Sequence, residues 1–242
     1  MDAGTTPKIQ EAVAAKNGGT VYKTAWAMEQ FDTWSCSYDR SLLQRFLFWP
    51  SHRLLEEYLS PHDERILDIG CGTCQFAERI LRRFPRVRLW GLDLSYSMLL
   101  QGRHRHHAWR DRLFIVRGNS QELPFCDDFF DVVTCSHSFH HYPDQAQALR
   151  EMFRVLRPGG RSMIIDGNRD CPHGWLIFDI LVTWYEGGVH HCSANEFRHL
   201  MAQAGFVHIV QRHEGDLIPY LLTMGVADKQ TQRQVIPVRA AA

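Results

Sequence analysis

The sequence is short of most features that would place it outside the ordinary globular enzymes. It has no excess of either charge, with 27 Lys and Arg against 27 Asp and Glu, so no global field draws it to nucleic acid. It has no long apolar run. The most hydrophobic window, Trp175 to Tyr185, is interrupted by Asp179 and falls short of the roughly 20 residues that cross a bilayer. The first residues show no basic stretch followed by an apolar one, so no secretory signal is expected. Repeats and low-complexity blocks are absent. The seven cysteines are odd in number and scattered, which excludes a simple disulfide framework and suits a reducing compartment. A cytoplasmic location is the expectation. What the chain does have is apolar content, 45% of 242 residues, which excludes disorder throughout and allows a full core.

Periodicity divides the chain into four parts. Residues 1–22 read as a flexible arm. Residues 23–60 read as a helical cap, with Leu42, Leu43, Phe46, Leu47, Leu54, Leu55, Tyr58 and Leu59 at helical spacing and Pro50 expected to break it. Strands and helices then alternate. Strands are expected at 65–69, 87–92, 113–117, 130–136 and 161–166. Helices are expected at 73–84, 95–107 (with Ser95 as N-cap) and 144–156. Such alternation predicts a doubly wound α/β sheet of Rossmann-like type, mostly parallel, with helices on both faces. An aromatic insertion at 167–192 follows, read as a lid. A helix at 195–204 and two last strands, 206–212 and 218–226, complete a domain over 23–226. Residues 227–242 read as a flexible tail.

The sharpest local signal is Asp68-Ile69-Gly70-Cys71-Gly72. A strand ends in an acid, and a turn with two glycines leads into a helix. Glycine allows the sharp turn and a close ligand approach, and the helix start offers unpaired N–H groups. A dinucleotide site wants G-x-G-x-x-G/A. Here the last position is Gln75, which argues against a pyrophosphate ligand. Asp93 ends the next strand about 20 residues on, where an acid can take both ribose hydroxyls.

Arg117-Gly118-Asn119-Ser120-Gln121-Glu122-Leu123-Pro124-Phe125 follows the third strand, and Phe130-Asp131-Val132-Val133 the fourth. Then come Phe139-His140-His141-Tyr142-Pro143-Asp144 and Val155-Leu156-Arg157-Pro158-Gly159-Gly160. The set resembles the class I S-adenosylmethionine-dependent methyltransferases, closest to the type 11, ubiquinone/menaquinone C-methyltransferase-like group. The resemblance covers about residues 30–210. It implies a seven-stranded sheet with an antiparallel last strand, and S-adenosyl-L-methionine as cofactor with S-adenosyl-L-homocysteine as product. Carried over, Asp68, Gly70, Cys71 and Gly72 would line the methionine portion, and Asp93 would hold the ribose. Leu94, Met98, Asn119 and Ser120 would meet the adenine. Ser136 would face the sulfonium, and Tyr38 would cover the cofactor carboxylate. The chain departs from the group at Cys74, where a third glycine is usual. A side chain there is expected to narrow the pocket or reach toward the amino-acid end.

Methyl transfer rests on alignment, and a base is needed only for a protonated acceptor. His140, His141, His190 and His191 are the candidates. Cys171, His173, His190, His191 and Cys192 offer metal-ligand chemistry, but their spacing matches no zinc module, so no metal is expected. Phe46 to Trp49 and Trp175 to Tyr185 form two aromatic segments, which suit an apolar or small uncharged acceptor. They suit a dimer contact or peripheral membrane contact as well. The expected function is methylation of a small molecule by in-line displacement under an aromatic lid, without nucleic acid, by a monomer or homodimer. A non-catalytic S-adenosylmethionine-binding regulator, and a small thiol or metalloid S-methyltransferase, stay open as alternatives.

Overall fold

A computed structural model describes residues 47–185 and 189–229. Tyr38, the arm, most of the cap and most of the tail lie outside the described residues. Seven strands form one sheet: β1 (Arg65–Ile69), β2 (Arg88–Asp93), β3 (Leu113–Arg117), β4 (Phe130–Ser136), β5 (Leu156–Gly167), β6 (Phe206–Glu214) and β7 (Tyr220–Ala227). Their order is β3-β2-β1-β4-β5-β7-β6. β1 to β5 run parallel, and β7 is antiparallel to both β5 and β6. The expected Rossmann-like sheet is present, and its strand order reverses between β1 and β4, where ligands of such sheets bind.

The central strands are apolar on both faces because both faces are covered. Ile66 joins a cluster with Leu54, Leu55, Phe76, Ile80 and Leu81, from α1 (Trp49–Glu57) and α2 (Gln75–Arg83). Its neighbours Leu67 and Ile69 join Leu149, Met152, Phe197 and Met201, from α4 (Gln145–Val155) and α5 (Ala194–Gln203) on the other side. The side chains of a strand alternate between faces, so Asp68 shares the face of Ile66. α3 (Tyr96–Arg105) lies between β2 and β3, with the Ser95 hydroxyl accepting from Met98 N as expected of an N-cap.

Pro50 stands in the first turn of α1, where its missing N–H has no partner to lose; the cap before residue 47 lies outside the described residues. Two boundaries differ from expectation, each for a local reason. α2 starts at Gln75 because Cys74, at φ 60°, is left-handed. β5 begins directly after α4, at Leu156, opposite Phe130; regular pairing resumes at Arg161 opposite Val132. Residues 157–160 bulge between, with Gly159 at φ 77° and Arg157 paired to Asp131 at 2.9 Å.

Candidate active site

The carboxyl ends of β1 and β4 enclose a cavity of about 30 Å³ lined by Phe48, His52, Asp68, Gly70, Cys71, Gly72, Thr73, Gln75, Phe76 and Ser136. The glycine turn forms its floor. Gly70 has φ 71°, and a methyl group added there would lie 2.1 Å from Ser138 Oγ. Ser138 is itself held by Tyr142 Oη at 3.0 Å and reaches Ile69 O at 3.3 Å. Only glycine fits this position. Gly72, at φ 52°, faces open space instead, with nothing within 4 Å of where a Cβ would be.

Two carboxylates converge on the turn. Asp68 is 3% exposed and accepts a hydrogen bond from Thr134 Oγ1 at 2.8 Å, its neighbour across the β1–β4 ladder. Burial pushes its carboxyl up to about 7, against the Thr134 bond and with help from Asp93. Asp93 accepts from Gly72 N at 2.8 Å and from Ser95 N at 2.9 Å. Burial raises its carboxyl too, opposed by those backbone N–H groups. Asp93 therefore ties the cap residue Ser95 to the glycine turn. Its grip on Gly72 N occupies a donor that a pyrophosphate would want.

No cationic side chain lines the cavity among the described residues. The only basic residue there is His52, whose pKa burial lowers to about 3, with His137 and Arg79 adding to the effect. Ser136 Oγ is buried without a hydrogen-bond partner. A buried orphan hydroxyl, an open glycine and two carboxylates together form a donor and acceptor set that suits a cationic, hydroxyl-bearing ligand. At about 30 Å³ the cavity is far below the several hundred Å³ of nucleoside-sized sites. A ligand of that size therefore needs the lining to move.

Cys74 does not enter the cavity. It is fully buried, and its Sγ occupies the space beside Gly91 and Gly102, 3.2 Å from where either would carry a Cβ. The departure from the usual third glycine is absorbed by two other glycines, and the expected narrowing does not occur.

Leu94, Met98, Asn119 and Ser120 lie at the ends of β2 and β3, which Gly118 N joins through Asp93 O at 3.1 Å. Met98 and Ser120 are buried and Asn119 is exposed. Asn119 Oδ1 already accepts from Gln121 N at 3.0 Å.

The histidines separate. His140 is buried beyond β4, with Nδ1 2.5 Å from Asp166 Oδ1 and its backbone N on Asp166 Oδ2 at 2.8 Å. Burial would raise the Asp166 carboxyl, but His140, with lesser help from His191 and His137, holds it well below the usual range. His141 leans on His140, ring centroids 4.2 Å apart. His191 stacks between His140 and Phe178, and burial drives its pKa to about 3. His190 turns outward to Glu196 at 3.0 Å, because its backbone N is tied to His140 O. It faces a different cavity, lined also by Gln121, Gln145 and Leu200, so it is not brought to the turn. The ligand atoms of His140, Asp166 and His191 lie within 4.8 Å of one another. The 2.5 Å contact is a hydrogen bond, closer than the about 3.3 Å between two ligands of one tetrahedral ion.

The segment after β5 is helical through Pro172–Trp175, a π-turn Leu176–Val182 and Thr183–Tyr185. Phe178 anchors it against Gly167 and His191. Most of the other large apolar side chains, Trp175, Leu176, Ile180, Leu181, Trp184 and Tyr185, face outward, Trp184 at 83% exposure. A lid lined throughout with aromatics is therefore not what the segment forms.

Sequence reasoning missed His52, His137 and Asp166. His137, at φ 52°, bonds Ser51 at 2.7 Å and packs edge-on to Phe48 and Tyr220. Its place directly after Ser136 was the available signal. Asp166 ends β5 as Asp68 and Asp93 end β1 and β2, a parallel that could have drawn attention to it.

A family profile described as "Methyltransferase domain" matches residues 67–164. The chain is 42% identical over 113 residues to the ubiquinone/menaquinone biosynthesis C-methyltransferase of Paracoccus denitrificans, covering 46% of this chain and 45% of that protein. It is 38% identical over 112 residues to the demethylmenaquinone methyltransferase of Listeria welshimeri, covering 46% and 48%. The chain thus spans about half the length of the curated relatives it matches. A solved complex of the Haloferax volcanii Trm112 methyltransferase activator with a methyltransferase superposes with TM-score 0.71 at 23% identity, covering 81% of this chain and 97% of that one. That likeness bears on the fold.

Proposed function

We propose that this chain, whose residues 67–164 form a class I methyltransferase domain of the type 11 group, is an S-adenosylmethionine-dependent methyltransferase acting on a small apolar acceptor. The observation that carries the reading is the pair of acids at the turn. Asp68 lines the cavity and becomes anionic as the pH passes about 7, and Asp93 beside it takes the Gly72 N–H. A phosphate ligand would meet repulsion and a used donor. A ligand bearing an ammonium, a sulfonium and a ribose would find a partner for each. When bound, S-adenosylmethionine supplies an electrophilic methyl group.

The residues divide the work as follows. Asp68 holds the ammonium, and the backbone of Gly70, Cys71 and Gly72 lines the methionine portion. Asp93 takes the ribose hydroxyls with the lone pairs left by Gly72 and Ser95. Leu94, Met98, Asn119 and Ser120 flank the base, and Ser136 Oγ gains a partner. Phe48, with Tyr38 and the rest of the 23–60 cap, closes over the cofactor and excludes water. His140, oriented by Asp166, accepts the proton when the acceptor carries one; His141 and His191 pack around it, and His190 takes no part.

For the acceptor, the aromatic surfaces of Phe48, His137, Tyr220 and Phe178 favour a flat apolar ring. Both curated relatives carry names from quinone biosynthesis, and a quinone-like acceptor methylated at carbon fits this lining. The outward apolar face of the 167–192 insertion suits peripheral contact with the membrane in which such molecules dissolve. The protein is read as cytoplasmic because its scattered thiols suit a reducing compartment. The regulator alternative drew on Cys74 as well as on the basic run Arg103 to His107, and it loses the first support. Release of S-adenosylhomocysteine over a panel of demethylated quinols, catechols, amines and thiols tests the reading. Turnover confined to thiols would shift it to an S-methyltransferase. Binding without turnover would shift it to a regulator.

A further inference from the structure

The cofactor turn holds two thiols in reach of each other. Cys71 and Cys74 are both free, and their Sγ atoms lie 3.6 Å apart. Cys74 N donates to Cys71 O at 2.8 Å, closing a tight turn that brings residues three apart into the Cα range a disulfide spans. Cys71 is half-buried and lines the cavity. Cys74 is fully buried behind it. Both sulfurs press on Gly91, where a Cβ would lie 2.9 Å from Cys71 Sγ and 3.2 Å from Cys74 Sγ. Gly102 confines Cys74 Sγ from the other side, again at 3.2 Å. Cys71 is the more accessible of the two, and Cys74 is fixed.

We propose that Cys71 and Cys74 form a redox modification site, closed to a disulfide by low-molecular-weight disulfides, and that closure weakens cofactor binding. The second half rests on the assignment of this turn to S-adenosylmethionine. In the reaction Cys71 loses its proton, and its sulfur attacks one sulfur of the small disulfide. That S–S bond breaks and one small thiol leaves. Cys74 then loses its proton and attacks the Cys71 sulfur, releasing the second small thiol. Two protein thiols are oxidised, and one small disulfide is reduced to two thiols.

The consequence for the cofactor follows from which sulfur can move. A disulfide needs the sulfurs at about 2.05 Å, roughly 1.5 Å closer than they stand. Cys74 is the N-cap of α2 and is wedged between two glycines, so Cys71 makes the movement. Its backbone N reaches Leu92 O at 3.2 Å, and its side chain is cavity wall, so the turn shifts with it. By reciprocity, bound cofactor opposes closure by the same factor that closure weakens the cofactor. The Cys71 thiol is pushed up by its neighbour Cys74, by burial and by the charges of Asp93 and Asp68. Closure is therefore slow at neutral pH and faster in mild alkali.

The test uses the full chain, reduced and then exposed to oxidised glutathione at pH 8.5. Peptide mapping by mass spectrometry locates the link, and a calorimetric titration reads S-adenosylmethionine affinity. The expected result is a 71–74 cross-link, an affinity loss of about tenfold or more, recovery with dithiothreitol, and slower linking under saturating S-adenosylhomocysteine. Cys74→Gly, which suits the left-handed backbone there, removes the resolving thiol, so the same treatment is expected to stop at a mixed disulfide of Cys71 with glutathione and to give no 71–74 link. Absence of the link in folded protein overturns the proposal, as does a link that leaves affinity unchanged. If reduced protein binds no S-adenosylmethionine, the cofactor assignment fails instead, and the mapping still decides whether the thiols pair.

Discussion

Replacing Asp68 with asparagine is expected to make the protein more stable at pH 8 while removing the ammonium partner of the cofactor. The folded carboxyl titrates at about 7 against 3.8 when unfolded. Between those values the native state keeps a proton that the unfolded chain has lost. Stability from this group therefore falls as pH rises from about 4 to 7, by about 1.4 kcal/mol per pH unit, and is flat above. The full difference is about 4 kcal/mol, an upper figure for a group 3% exposed. Asparagine keeps the acceptor for Thr134 Oγ1 and carries no charge. Buried histidines act the other way. His52 and His191 have pKa values near 3 when folded, so each contributes stability lost as pH falls below 6.5. The Asp68 effect is thus read as the wild-type minus variant difference. Thermal melts of both proteins from pH 5 to 9 are expected to converge at acid pH, with the variant melting higher above pH 7. A pH-independent difference, or a variant less stable at pH 8, would refute the burial argument. In the wild type, S-adenosylmethionine affinity is expected to rise with pH up to about 7, since the cation favours the ionised acid.

Other positions give separate checks. Asp93→Ala is expected to weaken cofactor binding by about 1–3 kcal/mol, and to cost about 1 kcal/mol of stability through the lost hydrogen bonds from Gly72 N and Ser95 N; titration and denaturant unfolding read the two effects. Gly70→Ala meets Ser138 and a left-handed backbone, so a loss of at least about 2 kcal/mol is expected in urea unfolding, and near-wild-type stability would contradict the tight turn. Asp166→Asn removes a carboxylate whose pKa is held low. Its stability contribution is present above the unfolded value and lost on acidification, so the melting gap to wild type is expected to narrow as pH falls from 6 to 3.

What could be read from the sequence was what local pattern determines. β1, β3 and β4 lie where their mostly apolar runs lie, because strands packed into a covered sheet are read from such runs. The cap at Ser95 was readable because it acts within three residues. The start of α2 was misplaced because nothing in the pattern reports that Cys74 is left-handed. The site was legible where motif and geometry coincide, at Asp68, Gly70, Gly72 and Asp93. It was illegible where partners are distant in sequence. The His140–Asp166 pair spans 26 residues and the His137–Ser51 pair 86. His190 and His191 looked equivalent, yet one backbone bond to His140 O sends one ring outward and its neighbour into the core. The outward face of the 167–192 insertion was equally hidden, since apolar composition does not say which way a helix turns.

The central claim is that the Asp68–Asp93 turn is a site for S-adenosylmethionine rather than for a phosphate-bearing nucleotide. Calorimetric titration of the reduced full chain at pH 8 with S-adenosylmethionine, S-adenosylhomocysteine and NAD tests it most directly. The account predicts one-to-one binding of the first two and none of the third. Binding of NAD, or failure of both S-adenosyl compounds to bind folded protein, would contradict it.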